Sequence, residues 1–414
     1  MPSREHVLDQ YARHIGPGMA RLLSFAGFGV EVRAEGCSVW DEEGREHLDF
    51  LGGFGVFSLG HRHPRVLEAV RRQLDEMPLS CKTFFNPVMA EAAERLAEAA
   101  PAGLEYVFFS NSGAEAVEAA LKFARAATGR AGIVSTEGGY HGKTLGALSA
   151  TGREKYQKPF RPLVPGFAHV PYGDLAAAKA EIGPETAAFI VEAIQGEGGI
   201  IVPPEGYLRG LREACDAAGA LLILDEVQTG LGRTGRMWGC DHDGVSPDVM
   251  TSAKALGGGV MPVGATLGTP KVWEAVFGEN PFLHTSTFGG NALACAAALA
   301  ALDVIRDEGL VERSAKFGAL LMDALRVEVL PLDLVADVRG RGLMVGVELA
   351  MDEVGELVVA QLLKRGVIVA YTLNNPRVIR LEPPLVITEA QIGKAVSAMR
   401  EAVAETQELL AGVA

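Results

Sequence analysis

Cysteine, aromatic residues and long apolar runs are all scarce in this 414-residue sequence, and each scarcity excludes something. The five cysteines (Cys37, Cys81, Cys215, Cys240, Cys295) are odd in number and dispersed, with no C-x-x-C pair. That pattern fits reduced thiols and gives neither a disulfide framework nor a zinc site. The longest run of small apolar residues, Ala292 to Leu302, is too short to span a bilayer, and Met1 to His6 carries mixed charge without an apolar signal core. Runs of Lys or Arg are missing too, and the net charge of −14 argues against nucleic acid and anionic membranes as partners. What remains is a protein expected to be soluble and cytoplasmic, with no bound metal. Its 48% hydrophobic content is ample for a large core, expected as one big domain plus a smaller one.

Residues 1–25 read as a helix. The stretch Val39 to Phe50 places two apolar runs around a Glu43-Gly44 turn, the pattern of a β-hairpin. From Pro64 to Ile305, strand-like runs (Tyr106–Phe109, Gly132–Ser135, Ala187–Ile194, Leu221–Leu224, Asp248–Ser252, Gly264–Leu267) alternate with helical ones, which predicts βαβ units and a mostly parallel sheet. Beyond a helix starting near Asn291, Gly342–Leu349 and Val367–Ala370 flank another helix, and Thr388 to Gln391 is a capping box opening a last one. The expected fold class is α/β. Residues 64–305 form the large domain, and residues 1–63 join residues 306–414 in a smaller α+β domain.

The stretch Ala220 to Gly259 organises the chemistry. Two apolar runs end on Asp225 and Lys254, and in a parallel sheet ligands sit beyond such carboxyl ends. The pair alone is more simply read as a structural ion pair. Ser110 to Glu115 adds a small-residue turn between a strand and a helix whose apolar residues Val117, Leu121 and Ala124 share one face. That is either an ordinary N-cap or a phosphate seat, where free amides and the helix dipole meet an anion and Gly113 permits close approach. Two motifs are decoys. Thr136 to Thr144 ends like a P-loop but has Glu137 where that motif needs glycine, and Gly230 to Gly235 spells G-x-G-x-x-G with no helix pattern after it. Tyr140 is placed to stack a flat ring. A phosphate seat, a stacking aromatic, a carboxylate and a lysine at different strand ends are together what pyridoxal phosphate requires: lysine for the Schiff base, and carboxylate to keep the pyridine nitrogen protonated.

These residues also carry a family resemblance. Ser110 to Glu115, Val191 to Gly199, Leu224 to Gly230, Ala253 to Gly258 and Thr287 to Asn291 resemble the class III, or omega, aminotransferases, pyridoxal 5'-phosphate-dependent transferases of fold type I, along nearly the whole chain. Lys158 to Phe167, Pro281 to Asn291 and Thr372 to Pro384 are similar to the putrescine aminotransferases among them. The resemblance implies Lys254 as the Schiff-base lysine and Asp225 as partner of the pyridinium nitrogen. It also implies Gln228 reaching the ring hydroxyl, Val227 under the ring and Tyr140 over it. Ser112, Gly113 and Ala114 would hold the phosphate with Thr287 from the other subunit of a homodimer or dimer of dimers. Glu197 and Arg380 match a pair in which glutamate covers arginine for an amine and uncovers it for 2-oxoglutarate. Where ornithine-like and 4-aminobutyrate-like relatives carry His-Gly-Arg, this chain has His141-Gly142-Lys143, and lysine cannot make the same planar grip on a carboxylate. The expected reaction is therefore transfer of a diamine's terminal amino group to 2-oxoglutarate. Ornithine, N-acetylornithine or 4-aminobutyrate as donor, or a non-catalytic protein that binds the cofactor, are the alternatives.

Overall fold

The computed structural model describes residues 3–411. A seven-stranded sheet runs in the order Tyr106–Ser110, Gly264–Gly268, Val249–Ser252, Leu221–Asp225, Thr186–Glu192, Gly132–Thr136, Phe167–Val170. Only Gly264–Gly268 opposes its neighbours, so the sheet is mostly parallel. Its central strands are buried at every position and largely apolar because both faces are covered. Phe189, Val191, Leu222 and Leu224 enter one hydrophobic core, while Ala188, Ile190, Leu221 and Ile223 enter another. The two-residue period of a strand thus divides one continuous apolar run between two sides. The helix Ala292–Asp307 packs into the first core, and the helices Gly113–Thr128 and Pro270–Phe277 into the second.

Two four-stranded sheets complete the fold. Glu31–Glu35, Ser38–Asp41 and Glu46–Asp49 are antiparallel, and their fourth strand, Val367–Ile368, arrives from the far end of the chain to pair parallel with Glu46–Asp49. Val335–Arg341, Met344–Leu349, Val378–Leu381 and Ala370–Tyr371 form the other. The first and last segments of the chain therefore share one sheet.

Several elements depart from expectation. The helix read over 1–25, whose first two residues lie outside the described ones, is broken into Arg4–Gln10, a π-turn Tyr11–Ile15 and Pro17–Phe25. Gly16 leaves the helix there and Pro17 restarts it, with no amide to lose at the first helical position. The strand read as Val367–Ala370 is two: Leu48 and Phe50 draw Gly366 and Ile368 to one sheet, while Ala370 pairs with Arg380 in another. Gly342, at φ 55°, turns a hairpin, so the strand read from 342 begins at Met344 and follows an unexpected partner, Val335–Arg341. The edge strand Phe167–Val170 was also missed, being only half-buried and lacking the alternation that marks a strand. The hairpin around Glu43-Gly44 and the Thr388–Gln391 capping box form as read, the box with reciprocal bonds of 3.0 and 3.3 Å.

Candidate active site

Parallel register aligns Glu192 with Asp225 and Asp225 with Thr251, so three strands end at one level. Beyond them opens a cavity of about 470 Å³. Ser112, Gly113, Ala114, Tyr140, Asp225, Val227, Gln228 and Lys254 all line it, drawn together from four separate strand ends of the sheet.

Asp225 is buried and fully engaged. Its Oδ2 lies 2.7 Å from His141 Nδ1, and its Oδ1 accepts from Thr251 Oγ1 and from the Val227 amide, each at 3.1 Å. Burial is the largest influence on His141 and weakens its cation, but the bond to Asp225 and the charges of Asp225 and Glu192 together raise the imidazole above its ordinary value. Lys254 forms no ion pair with Asp225 or with any other carboxylate among the described residues, so the structural-pair alternative is not what this lysine does. Its backbone sits at φ 46°, in the left-handed region that a side-chain-bearing residue rarely occupies. Burial, with Arg380 adding, pulls its ammonium below the usual lysine range against the opposing carboxylates Glu382, Glu197 and Asp225. A neutral amine, the nucleophilic form, is favoured there.

The helix Gly113–Thr128 begins where Ser112 Oγ accepts from the Glu115 amide at 3.2 Å, and it ends at Gly129 with φ 67°. The first-turn amides of Gly113 and Ala114 have no carbonyl to reach within the helix, and both residues line the cavity. A methyl group on Gly113 would press to 3.0 Å from Val227 Cγ1 and 3.5 Å from Ala253 Cβ, so this helix start touches both the residue beyond Asp225 and the one before Lys254.

Glu197 and Arg380 lie beside the cavity. Arg380 is wholly buried and donates through Nη1 to Glu197 Oε1 at 2.6 Å, while its Nε and Nη2 have no hydrogen-bond partner. Glu382 Oε2 lies 3.9 Å from Nε and the Phe54 ring covers the guanidinium at 4.8 Å, so Nη2 is the donor left without a neighbouring acceptor. Gln228 donates to both oxygens of Glu382, at 3.0 and 2.9 Å, and the Lys254 stem passes beside the same pair. Lys143 also lines the cavity, with Nζ 4.8 Å above the ring of Tyr156. Thr287 is exposed and lines a different cavity with Lys82, Phe282 and Phe288.

Two carboxylates were not anticipated. Glu192 accepts from the Tyr140 amide at 3.0 Å and the Gly196 amide at 3.1 Å, and burial pushes its carboxyl up to about 7. It was read as mid-strand, yet pairing stops at Glu192, and a carboxylate ending an apolar run was the same signal that exposed Asp225. Glu382 is fully buried between Gln228 and Arg380. The decoys resolve locally. Gly232 and Gly235, at φ 90° and 83°, wind the chain around buried Arg233, which donates to the carbonyls of Leu343 and Pro383, and only a short 3-10 turn follows.

A family model of the class-III aminotransferases matches residues 27–403. Among solved structures, the chain is similar to an ornithine aminotransferase from Toxoplasma gondii with PLP at partial occupancy in its active site (36% identity, TM-score 0.88, 99% of each chain). It is also similar to an acetylornithine aminotransferase from Elizabethkingia anophelis (34%, TM-score 0.84, 98% of this chain and 100% of that one). A thermostable (S)-enantioselective omega-transaminase from Thermomicrobium roseum is a third (35%, TM-score 0.91, 98% and 99%).

Proposed function

The chain belongs to the class-III aminotransferases, and within that family we propose that it moves the terminal amino group of a diamine, such as putrescine or cadaverine, to 2-oxoglutarate. The enzyme is a transaminase whose cofactor is pyridoxal 5'-phosphate, and the residues present fit that group. The amides at the helix start suit a phosphate, a buried carboxylate suits a protonated ring nitrogen, and Lys254 beside them is in no ion pair among the described residues. When bound, the cofactor supplies the sink for the electron pair released as the amine's C–H bond breaks.

Lys254 would bind the cofactor and carry the substrate's proton at Nζ, a role its weakened basicity suits. Ser112, Gly113 and Ala114 would hold the phosphate. Asp225, itself oriented by His141, Thr251 and the Val227 amide, would face the ring nitrogen. Tyr140 and Val227 would enclose the ring, and Gln228 would reach its hydroxyl by sharing an amide now given to Glu382. Glu197 would cover Arg380 while the amine reacts and leave it for the oxo-acid, whose carboxylate would find the freed Nη1 and the unpartnered Nη2.

The observation that carries the donor is this covered arginine together with Lys143, whose ammonium rests on Tyr156 and offers no fork to a distal carboxylate. A carboxylated donor would lose a charge-assisted pair worth about 1.5–3 kcal/mol, roughly a ten- to hundredfold change in specificity. In a glutamate-release screen with 2-oxoglutarate, kcat/KM should be highest for a diamine, and Lys143→Arg should narrow the gap to carboxylated donors. Higher values for ornithine, N-acetylornithine or 4-aminobutyrate would overturn this donor. Similarity to ornithine and acetylornithine aminotransferases favours those donors as the second reading.

We further propose a homodimer in which Thr287 completes the partner's phosphate site. Phe84, Phe282 and Phe288 are 80%, 79% and 57% exposed, an apolar surface of the kind that subunit contacts cover. No described helix is long and apolar enough to cross a membrane, and the five free thiols support a cytoplasmic setting. We also place the domain boundaries near residues 63 and 305, supported by the sheet that both chain ends share.

A further inference from the structure

Glu197 is held by more than Arg380. The Leu373 amide donates to Glu197 Oε2 at 2.9 Å, the oxygen that Arg380 Nη1 leaves free, and the Asn374 amide donates to the Glu197 backbone carbonyl at 2.9 Å. These two amides lie in a loop between Ala370–Tyr371 and Val378–Leu381, and Leu373 itself is exposed. Backbone bonds between Thr372, Asn375 and Val378 close the loop, and side chains fix it against the rest of the fold. Asn374 Nδ2 donates to the Gly138 carbonyl at 2.8 Å, and the Tyr156 hydroxyl donates to the Leu373 carbonyl at 3.1 Å. The Tyr156 ring in turn carries the Lys143 ammonium. A continuous path of contacts runs from the cavity wall at Lys143 through Tyr156 and Leu373 to Glu197.

We propose that Tyr156 is a positioning residue that sets how readily Glu197 leaves Arg380, and thereby the balance between amine donor and dicarboxylic oxo-acid. The inference rests on the reading that Glu197 covers Arg380 for one substrate and uncovers it for the other. To uncover Arg380, Glu197 gives up the Leu373 amide as well as the guanidinium. The Tyr156 hydroxyl and the Glu197 backbone carbonyl hold the two ends of the Leu373–Asn374 peptide unit, and that fixes Leu373 in place to offer its own amide to Glu197 Oε2. Removing that hydroxyl loosens Leu373, whose amide meets the Glu197 carboxylate only in the covered state.

Tyr156→Phe keeps the ring under Lys143 and deletes only the hydroxyl. In the holoenzyme, the dissociation constant of glutarate, an unreactive dicarboxylate, would be measured by titration calorimetry, and each half-reaction by rapid mixing. Glutarate should bind about three- to tenfold tighter, the scale of one neutral hydrogen bond lost from the competing state. KM for 2-oxoglutarate should fall in step, while the amine half-reaction should not accelerate. Glu197→Ala separates the two ways of failing. If Glu197→Ala leaves glutarate binding unchanged, the covering role of Glu197 is wrong and the inference falls with it. If Glu197→Ala tightens glutarate but Tyr156→Phe shifts it less than about twofold, or shifts it equally in the Glu197→Ala background, Tyr156 does not act through Glu197 and the proposal is overturned.

Discussion

At the scale of single residues, the chemistry rests on where two charges are allowed. Lys254 is held in a left-handed backbone conformation and stripped of ion-pair partners, an arrangement that costs stability and favours a neutral amine. Lys254→Ala should therefore abolish the visible absorbance of lysine-bound cofactor and lower turnover by several powers of ten, because binding and proton transfer depend on the same nitrogen. A Lys254→Ala protein that kept either property would sink the assignment. Asp225 and Lys254 were legible because each closes an apolar run at a strand end, a pattern that needs no tertiary knowledge. Tyr156, Leu373 and Glu382 were not: each acts through a partner more than 150 residues away, at Leu373 for Tyr156, Glu197 for Leu373 and Gln228 for Glu382. Sequence spacing carries no record of such pairs.

At the scale of elements, the strand Thr186–Glu192 delivers a carboxylate that ties two loops together, Tyr140 on one side and Gly196 on the other. Burial raises that carboxyl from 4.5 to about 7, with Asp225 reinforcing and His141 opposing. Between those values the folded chain keeps a proton that the unfolded chain has lost, so this group's contribution to stability is whole below pH 4.5 and declines as pH rises to about 7. Thermal midpoints across that window should fall more steeply with pH for the wild type than for Glu192→Gln, and equal slopes would show that Glu192 stays charged. A neighbouring element makes a second demand. A methyl group on Gly196 would lie 1.8 Å from Gln228 Oε1, so Gly196→Ala must push Gln228 off Glu382. Cofactor affinity should fall several-fold while the melting temperature changes little, since the displaced group is a side-chain end and not backbone. Unchanged affinity would free Gln228 from any part in holding the ring. The parallel core was readable from continuous apolar runs, whereas the divided strand at Val367–Tyr371 was not, because its halves obey two different sheets.

At the scale of the whole molecule, one chain brings ten of the eleven expected site residues to or beside a single cavity and leaves Thr287 apart. Thr287 lies instead on an exposed surface with Phe282 and Phe288, a surface too apolar to suit water. A two-fold dimer would bury that surface and present the same Thr287 to its partner's phosphate seat twice over. Subunit mixing tests this directly. In a hybrid of Thr287→Ala and Lys254→Ala chains, one site inherits both lesions, and the other pairs an intact Lys254 with an intact Thr287 from its neighbour. Refolded mixtures should thus regain activity above either parent, approaching a quarter of wild type when the chains are mixed equally and associate at random, since half the dimers are hybrids with one normal site each. Were Thr287 to serve its own chain, each hybrid would hold one site lacking the lysine and one lacking the threonine, and mixing would restore nothing.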